Sequence, residues 1–218
     1  MSKLRTPSML QDCLDKELAW RLKEVADLTL AIKSSPPAHQ RTLVRAGVPL
    51  LYAHWEGFIK NSSLSYIQFV SDQCLRLDQL SNCFIVFGAK KHLSALTQSR
   101  KSKINIEAVN FFTTHLTSSP TLSMSSAVNT ESNLSSGVFD NIAISIGINP
   151  DRYTPRYNLI DESLLKRRNE IAHGEYLDLR PEEYRSLVDE VILLIRWYKT
   201  DIENAVALGL YKKPESVT

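Results

Sequence analysis

The stretch "LVRAGVPLLYAHWEGFIKNSSLSYIQFV", residues 43–70, decides the fold. Its apolar residues recur at helical intervals, which predicts one long helical segment from about Arg41 to Val70. Gly47 and Pro49 lie inside it. A proline lacks the backbone N–H and crowds the preceding turn, so a kink or short break is expected there.

Helical patterning continues on both sides. Upstream, Leu10, Leu14, Leu18, Leu22, Val25 and Ile32 mark a first helix, and Ser8 with Gln11 has capping-box spacing. "SSPPAHQ" at 34–40 separates the two. Downstream, helical stretches are predicted over about 78–97 and 106–117. Residues 113–136 then change character, because 13 of these 24 residues are Ser or Thr. Such a composition buries little apolar area and predicts an irregular insertion with room for a short β hairpin. A helix is predicted over 134–147, then a loop, "INPDRYTPRYN".

From Asp161 the pattern is firm again. Asp161 is placed to cap a helix through "ESLLKRRNEIAH", with Gly174 as its left-handed terminator. In the last helix Pro181 occupies the first turn, and Glu182 and Glu183 complement the helix dipole. Leu187, Val188, Val191, Ile192, Leu194, Ile195 and Tyr198 cover more than one face, so burial on two sides is expected. The fold class is all-α: an antiparallel helical bundle with one irregular Ser/Thr-rich insertion at 113–136, read as one domain over 1–218.

Bulk properties agree. Seven glycines and nine prolines in 218 residues are few, which favours helices. A formal net charge of +2 does not announce a nucleic-acid binder, so such a role must rest on local patches. One patch exists: residues 79–106 hold Lys90, Lys91, Arg100, Lys101 and Lys103 and no acid. It reads as a solvated helix end or as a surface for an anionic ligand. Cys13, Cys74 and Cys83 match no metal spacing, and an odd count fits reduced thiols. No signal-peptide core or membrane-length apolar run is visible, so a soluble, cytoplasmic protein is expected.

Several chemistries are excluded. The chain has no glycine-rich phosphate loop, no HExxH and no GxSxG. His54 and Glu56 are two apart and do not share a helix face, which makes His54 a core or interface residue. Glu170 and His173 form an ExxH pair, but a di-iron bundle needs a second one, and His39, His54, His92 and His115 have no acid three residues before them.

What remains is "LLKRRNEIAHGEY", residues 164–176. Asn169 and His173 are four apart on one face, where an Asn–His hydrogen bond would fix the imidazole. Arg168 and His173 are five apart, about 140° around an ideal helix, so a single straight helix does not aim both at one phosphate. They converge if the helix loosens near Gly174 or if two copies meet across a dimer axis. An imidazole moves protons near neutral pH and a guanidinium neutralises a charged transition state. The pair suits RNA cleavage by the neighbouring 2′-hydroxyl, which calls for no metal or other cofactor. The structural alternative is that His173, Lys166, Arg167 and Arg168 simply complement a helix C-terminus.

"RRNEIAHG" resembles the signature of the HEPN superfamily, whose ribonuclease members carry Arg, a polar follower, and His after four to six residues. Arg168, Asn169 and His173 match those positions. Residues 43–60 and "TESNLSSGVFDNIAISIGI" at 130–148 are similar, in order, to the MAE-type branch of HEPN-like nucleases. The resemblance implies an all-α HEPN-like fold and a homodimer with the motifs facing each other. It implies metal-independent endoribonuclease activity, with His173 in acid/base catalysis, Arg168 steadying the scissile phosphate and Asn169 orienting the site. Lys166 and Arg167 supply substrate-side charge. It further suggests a toxin–antitoxin or anti-phage setting in which a partner protein restrains the nuclease. The alternative within the same resemblance is a non-catalytic HEPN module that binds a nucleotide, RNA or a partner protein.

Overall fold

A 36-residue helix organises the molecule. The computed structural model describes residues 3–114, 116–117, 128 and 133–214. In it, α1 spans Pro7–Ser34, α2 Pro37–Asp72, α3 Asn82–Gln98, α4 Ser102–Thr114 and α5 Ser136–Ser145. The short α6, Arg167–Ala172, and the long α7, Pro181–Ala207, follow. Among the described residues there is no strand, only an isolated bridge between Leu80 and Lys212. Most of the Ser/Thr-rich insertion, with its expected hairpin, lies outside the described residues, as does His115.

α1 and α2 meet at Ser35–Pro36, the break that the serine–proline run predicts. The cap of α1 differs from expectation: Thr6 accepts the Met9 N–H at 3.2 Å, and Ser8 lies inside the helix. Pro7 at the first position explains the shift, since its fixed φ starts the helix there. One position of the α1 stripe also departs from expectation. Arg21, not Leu22, is buried beside Leu14 and Val25. Its guanidinium is 3.1 Å from Glu17 and donates to the Glu17 and His54 carbonyls. Gly57 makes this possible, because a Cβ there would lie 2.9 Å from Arg21 Nη2.

α2 runs without a break, so the expected interruption at Gly47 and Pro49 does not occur. Pro49 removes only the bond to the Arg45 carbonyl, while packing on several sides holds the helix. Val48, Leu51, Trp55, Phe58 and Ile59 are fully buried, each side chain contributing about 1.5–3 kcal/mol. Gly47 has a steric purpose instead: a Cβ would sit 2.6 Å from the Tyr184 hydroxyl of α7. That hydroxyl donates to the Gly47 carbonyl at 3.4 Å.

α7 packs against both α1 and α2, which matches its two-sided apolar pattern. Tyr198 and Ser63 share a buried hydrogen bond of 2.7 Å, and Lys199 pairs with Asp15 at 2.8 Å and Glu203 at 2.6 Å. The buried apolar side chains of α1, α2, α3, α5 and α7 form one continuous cluster. α3 and α4 make a hairpin at its margin, joined by a stack of His92 on Phe111 at 4.0 Å. Lys90, Lys91, Arg100, Lys101 and Lys103 are all exposed on this hairpin.

The segment before the motif departs most from its expected form. "INPDRYTPRYN" contains a 3-10 helix, Asp151–Arg156, that buries Tyr153 against Phe139. The following helix begins by Tyr157 and passes through a π-helical stretch, Leu159–Lys166, into α6. Asp161 therefore does not cap its own helix. Its carboxylate accepts the Ser136 N–H at 2.7 Å and the Ser136 hydroxyl at 2.5 Å, holding the start of α5. Ser135 adds the cap itself, accepting the Val138 N–H at 3.3 Å.

Candidate functional site

The site is built where α6 crosses α2. Arg168 is half-buried, and its Cζ lies 4.1 Å from the ring centroid of Tyr52 on α2. Such a contact combines cation–π attraction with planar stacking. Tyr52 is itself buried, and its hydroxyl accepts the Leu134 N–H at 2.6 Å. Burial raises the Tyr52 pKa, the Leu134 N–H opposes that, the Glu56 carboxylate adds to it and Arg168 opposes it. The phenol thus stays protonated at neutral pH. Glu56 lies one turn from Tyr52 on α2, which brings a carboxylate into the neighbourhood of the arginine.

Arg168 also donates to the side-chain oxygen of its neighbour Asn169, from Nη1 at 2.8 Å. This corrects the expected Asn–His pairing: the Asn169 amide holds the arginine. His173 and Asn169 are linked through the backbone, where the His173 N–H donates to the Asn169 carbonyl at 2.9 Å. The imidazole is exposed, and among the described residues no hydrogen bond reaches it.

α6 ends as its sequence requires. His173 is the C-cap, and Gly174 follows at φ +79. The Gly174 N–H donates to Ile171 at 3.1 Å and the Glu175 N–H to Glu170 at 2.9 Å, which closes a Schellman motif. This sharp stop leaves His173 at the tip while Arg168 turns inward to Tyr52. Within one chain, the structure brings Arg168 and Asn169 together and leaves His173 apart.

The two further basic residues are partly compensated. Lys166 is 2.7 Å from Glu162, both exposed. Arg167 is half-buried and contributes, after Arg180, to lowering the Glu183 pKa. Among the described residues no group of His, Cys, Asp and Glu is arranged to hold a metal ion. None of the helices is long and apolar enough to cross a membrane. His54 is buried, as its position suggested, with Nε2 3.0 Å from Glu24 though not aligned for a hydrogen bond.

Tyr52, Glu56 and the Leu134 N–H are the members of the site that motif reading passes over. The available signal was the helical spacing of Tyr52 and Glu56 in "YAHWEG", hidden by attention to the histidine between them.

The family model of RiboL-PSP-HEPN matches residues 16–204, which includes α2, the motif and nearly all of α7. The chain belongs to the RiboL-PSP-HEPN family. No curated protein and no solved structure matches it significantly. As a HEPN domain it joins an all-α superfamily that includes ribonucleases and RNA-binding modules and whose members often dimerise. The RiboL-PSP-HEPN assignment supports the superfamily resemblance carried by Arg168, Asn169 and His173.

Proposed function

We propose that this HEPN domain is a metal-independent endoribonuclease that acts as a homodimer, its single domain spanning residues 1–218. The observation that carries the proposal is the posture of the motif: Arg168 is held by Tyr52 and Asn169, and His173 stands exposed at the tip of α6. An anchored cation and an accessible imidazole on different faces suit a site completed by a second chain across a two-fold axis.

In this reading the RNA 2′-hydroxyl oxygen attacks the adjacent phosphorus, forming the 2′,3′-cyclic phosphate as the bond to the 5′-oxygen breaks. His173 serves in acid/base catalysis, handling the protons of the attacking and leaving oxygens. Arg168 neutralises charge that builds on the phosphoryl oxygens. Asn169 fixes the arginine, and Lys166 and Arg167 add positive potential on the substrate side. The likeness of 43–60 and 130–148 to the MAE-type branch supports a toxin or anti-phage effector restrained by a partner protein.

The test is RNA cleavage by purified protein in excess chelator. Wild type cuts and His173→Ala does not, while the variant keeps its helical circular dichroism and unfolding midpoint. Equal cutting by the variant overturns the assignment. The second reading is a non-catalytic HEPN module binding a nucleotide, RNA or a partner protein. The separation of His173 from Arg168 within one chain favours it, and saturable RNA binding without cleavage by wild type is its signature.

A further inference from the structure

We propose that Arg41, Arg45 and Tyr176 form a subsite that grips the single-stranded RNA flanking the scissile phosphate. The inference rests on the ribonuclease reading and names how its substrate is held. The three residues line one cleft of about 140 Å³, between the start of α2 and the chain that leaves the motif. Thr42 and Asp178 line it too.

Two relationships connect this cleft to the candidate site. On an ideal helix Arg41, Arg45 and Tyr52 fall within about 40° of one another, so they share one stripe of α2. Arg168 sits on Tyr52, at the far end of that stripe. Arg45 and Arg41 are then about 10 and 16 Å along the axis from it, a reach that an RNA strand covers within a few nucleotides. The second relationship is covalent. Tyr176 follows His173 by three residues, and the Schellman stop at Gly174 turns the chain toward the arginines.

The chemistry is that of single-strand binding. Arg41 is exposed and Arg45 half-buried, so both guanidinium groups are placed to meet phosphate oxygens. Tyr176 is 80% exposed, the most exposed of the large hydrophobic side chains described. Such a ring offers a platform on which any base stacks. The carboxylate of Asp178 offsets one of the two cations and leaves the cleft net positive by one charge. A strand running from the cleft along α2 delivers its next phosphate to Arg168.

The experiment measures binding rather than cleavage. Full-length His173→Ala protein is titrated with a fluorescent single-stranded RNA at several salt concentrations, alone and with Arg41→Ala/Arg45→Ala, Tyr176→Ala or Tyr176→Phe added. The double arginine change weakens binding roughly tenfold or more and lowers the salt slope by about 1. Tyr176→Ala weakens it by roughly fivefold or more, and Tyr176→Phe restores it, because stacking needs the ring and not the hydroxyl. Unfolding midpoints close to that of the parent keep the comparison valid, all three side chains being at the surface. Affinity unchanged by these substitutions, or no RNA binding by the parent, overturns the subsite. RNA bound through Arg41 and Arg45 by a wild type that never cuts would keep the subsite and remove the nuclease.

Discussion

The Arg168 guanidinium lies over the Tyr52 ring, 4.1 Å from its centroid, and Tyr52 is held in turn by the N–H of Leu134. The motif arginine is thus positioned by α2 and by the chain that enters α5, more than by its own helix.

Tyr52→Phe separates two functions of this tyrosine. The ring remains, so RNA cleavage stays near the wild-type rate. The Leu134 N–H loses its acceptor in a buried place, which costs about 1–3 kcal/mol in urea unfolding. Tyr52→Leu also removes the face on which Arg168 rests, and cleavage falls on the order of tenfold to a hundredfold. Equal activity of the Phe and Leu variants would show that the stack does not position the arginine.

Gly47→Ala inverts the usual helix preference. In an open helix the change gains about 1 kcal/mol. Here the new methyl would meet the Tyr184 ring and hydroxyl at 2.6–2.9 Å. The variant is expected to be destabilised by about 1–3 kcal/mol through overpacking. A raised melting temperature would contradict the close approach of α7.

His54 makes stability depend on pH. Burial lowers its pKa below the ordinary 6.5, Glu24 opposes that shift, and Arg21 reinforces it. The unfolded chain therefore takes up a proton that the folded one resists. Its contribution is present above pH 6.5 and is lost as pH falls toward the folded value. Urea unfolding of wild type from about pH 7 to 5 should give a steeper loss than that of His54→Gln. Parallel curves for the two proteins would remove His54 as the cause.

Much of this architecture was legible because it follows from local rules. The period of the apolar residues marked α2 and α7, and Gly174 marked the end of α6, since a left-handed residue there favours glycine. Features set by distant partners were not legible. Asp161 has the spacing of a local cap, yet its carboxylate serves Ser136 on another helix. Arg21 takes a core position because Gly57 and Glu17 accommodate it. The π-helical stretch before Arg167 shifts the helical phase, so faces counted from Asp161 do not carry through to Arg168. In the candidate site, the residue types came from the motif, whereas Tyr52 and Glu56 came only from how α6 crosses α2.

The central claim is that two chains compose one site, and subunit mixing tests it most directly. Arg168→Ala and His173→Ala proteins are each inactive in this account. Mixed under conditions that allow subunit exchange, with chelator present, they form heterodimers. One site of each heterodimer pairs an intact Arg168 from one chain with an intact His173 from the other. The account predicts that RNA cleavage returns on mixing, to a fraction of the wild-type rate. A mixture as inactive as its components, beside a wild type that cuts and a confirmed heterodimer, would contradict it.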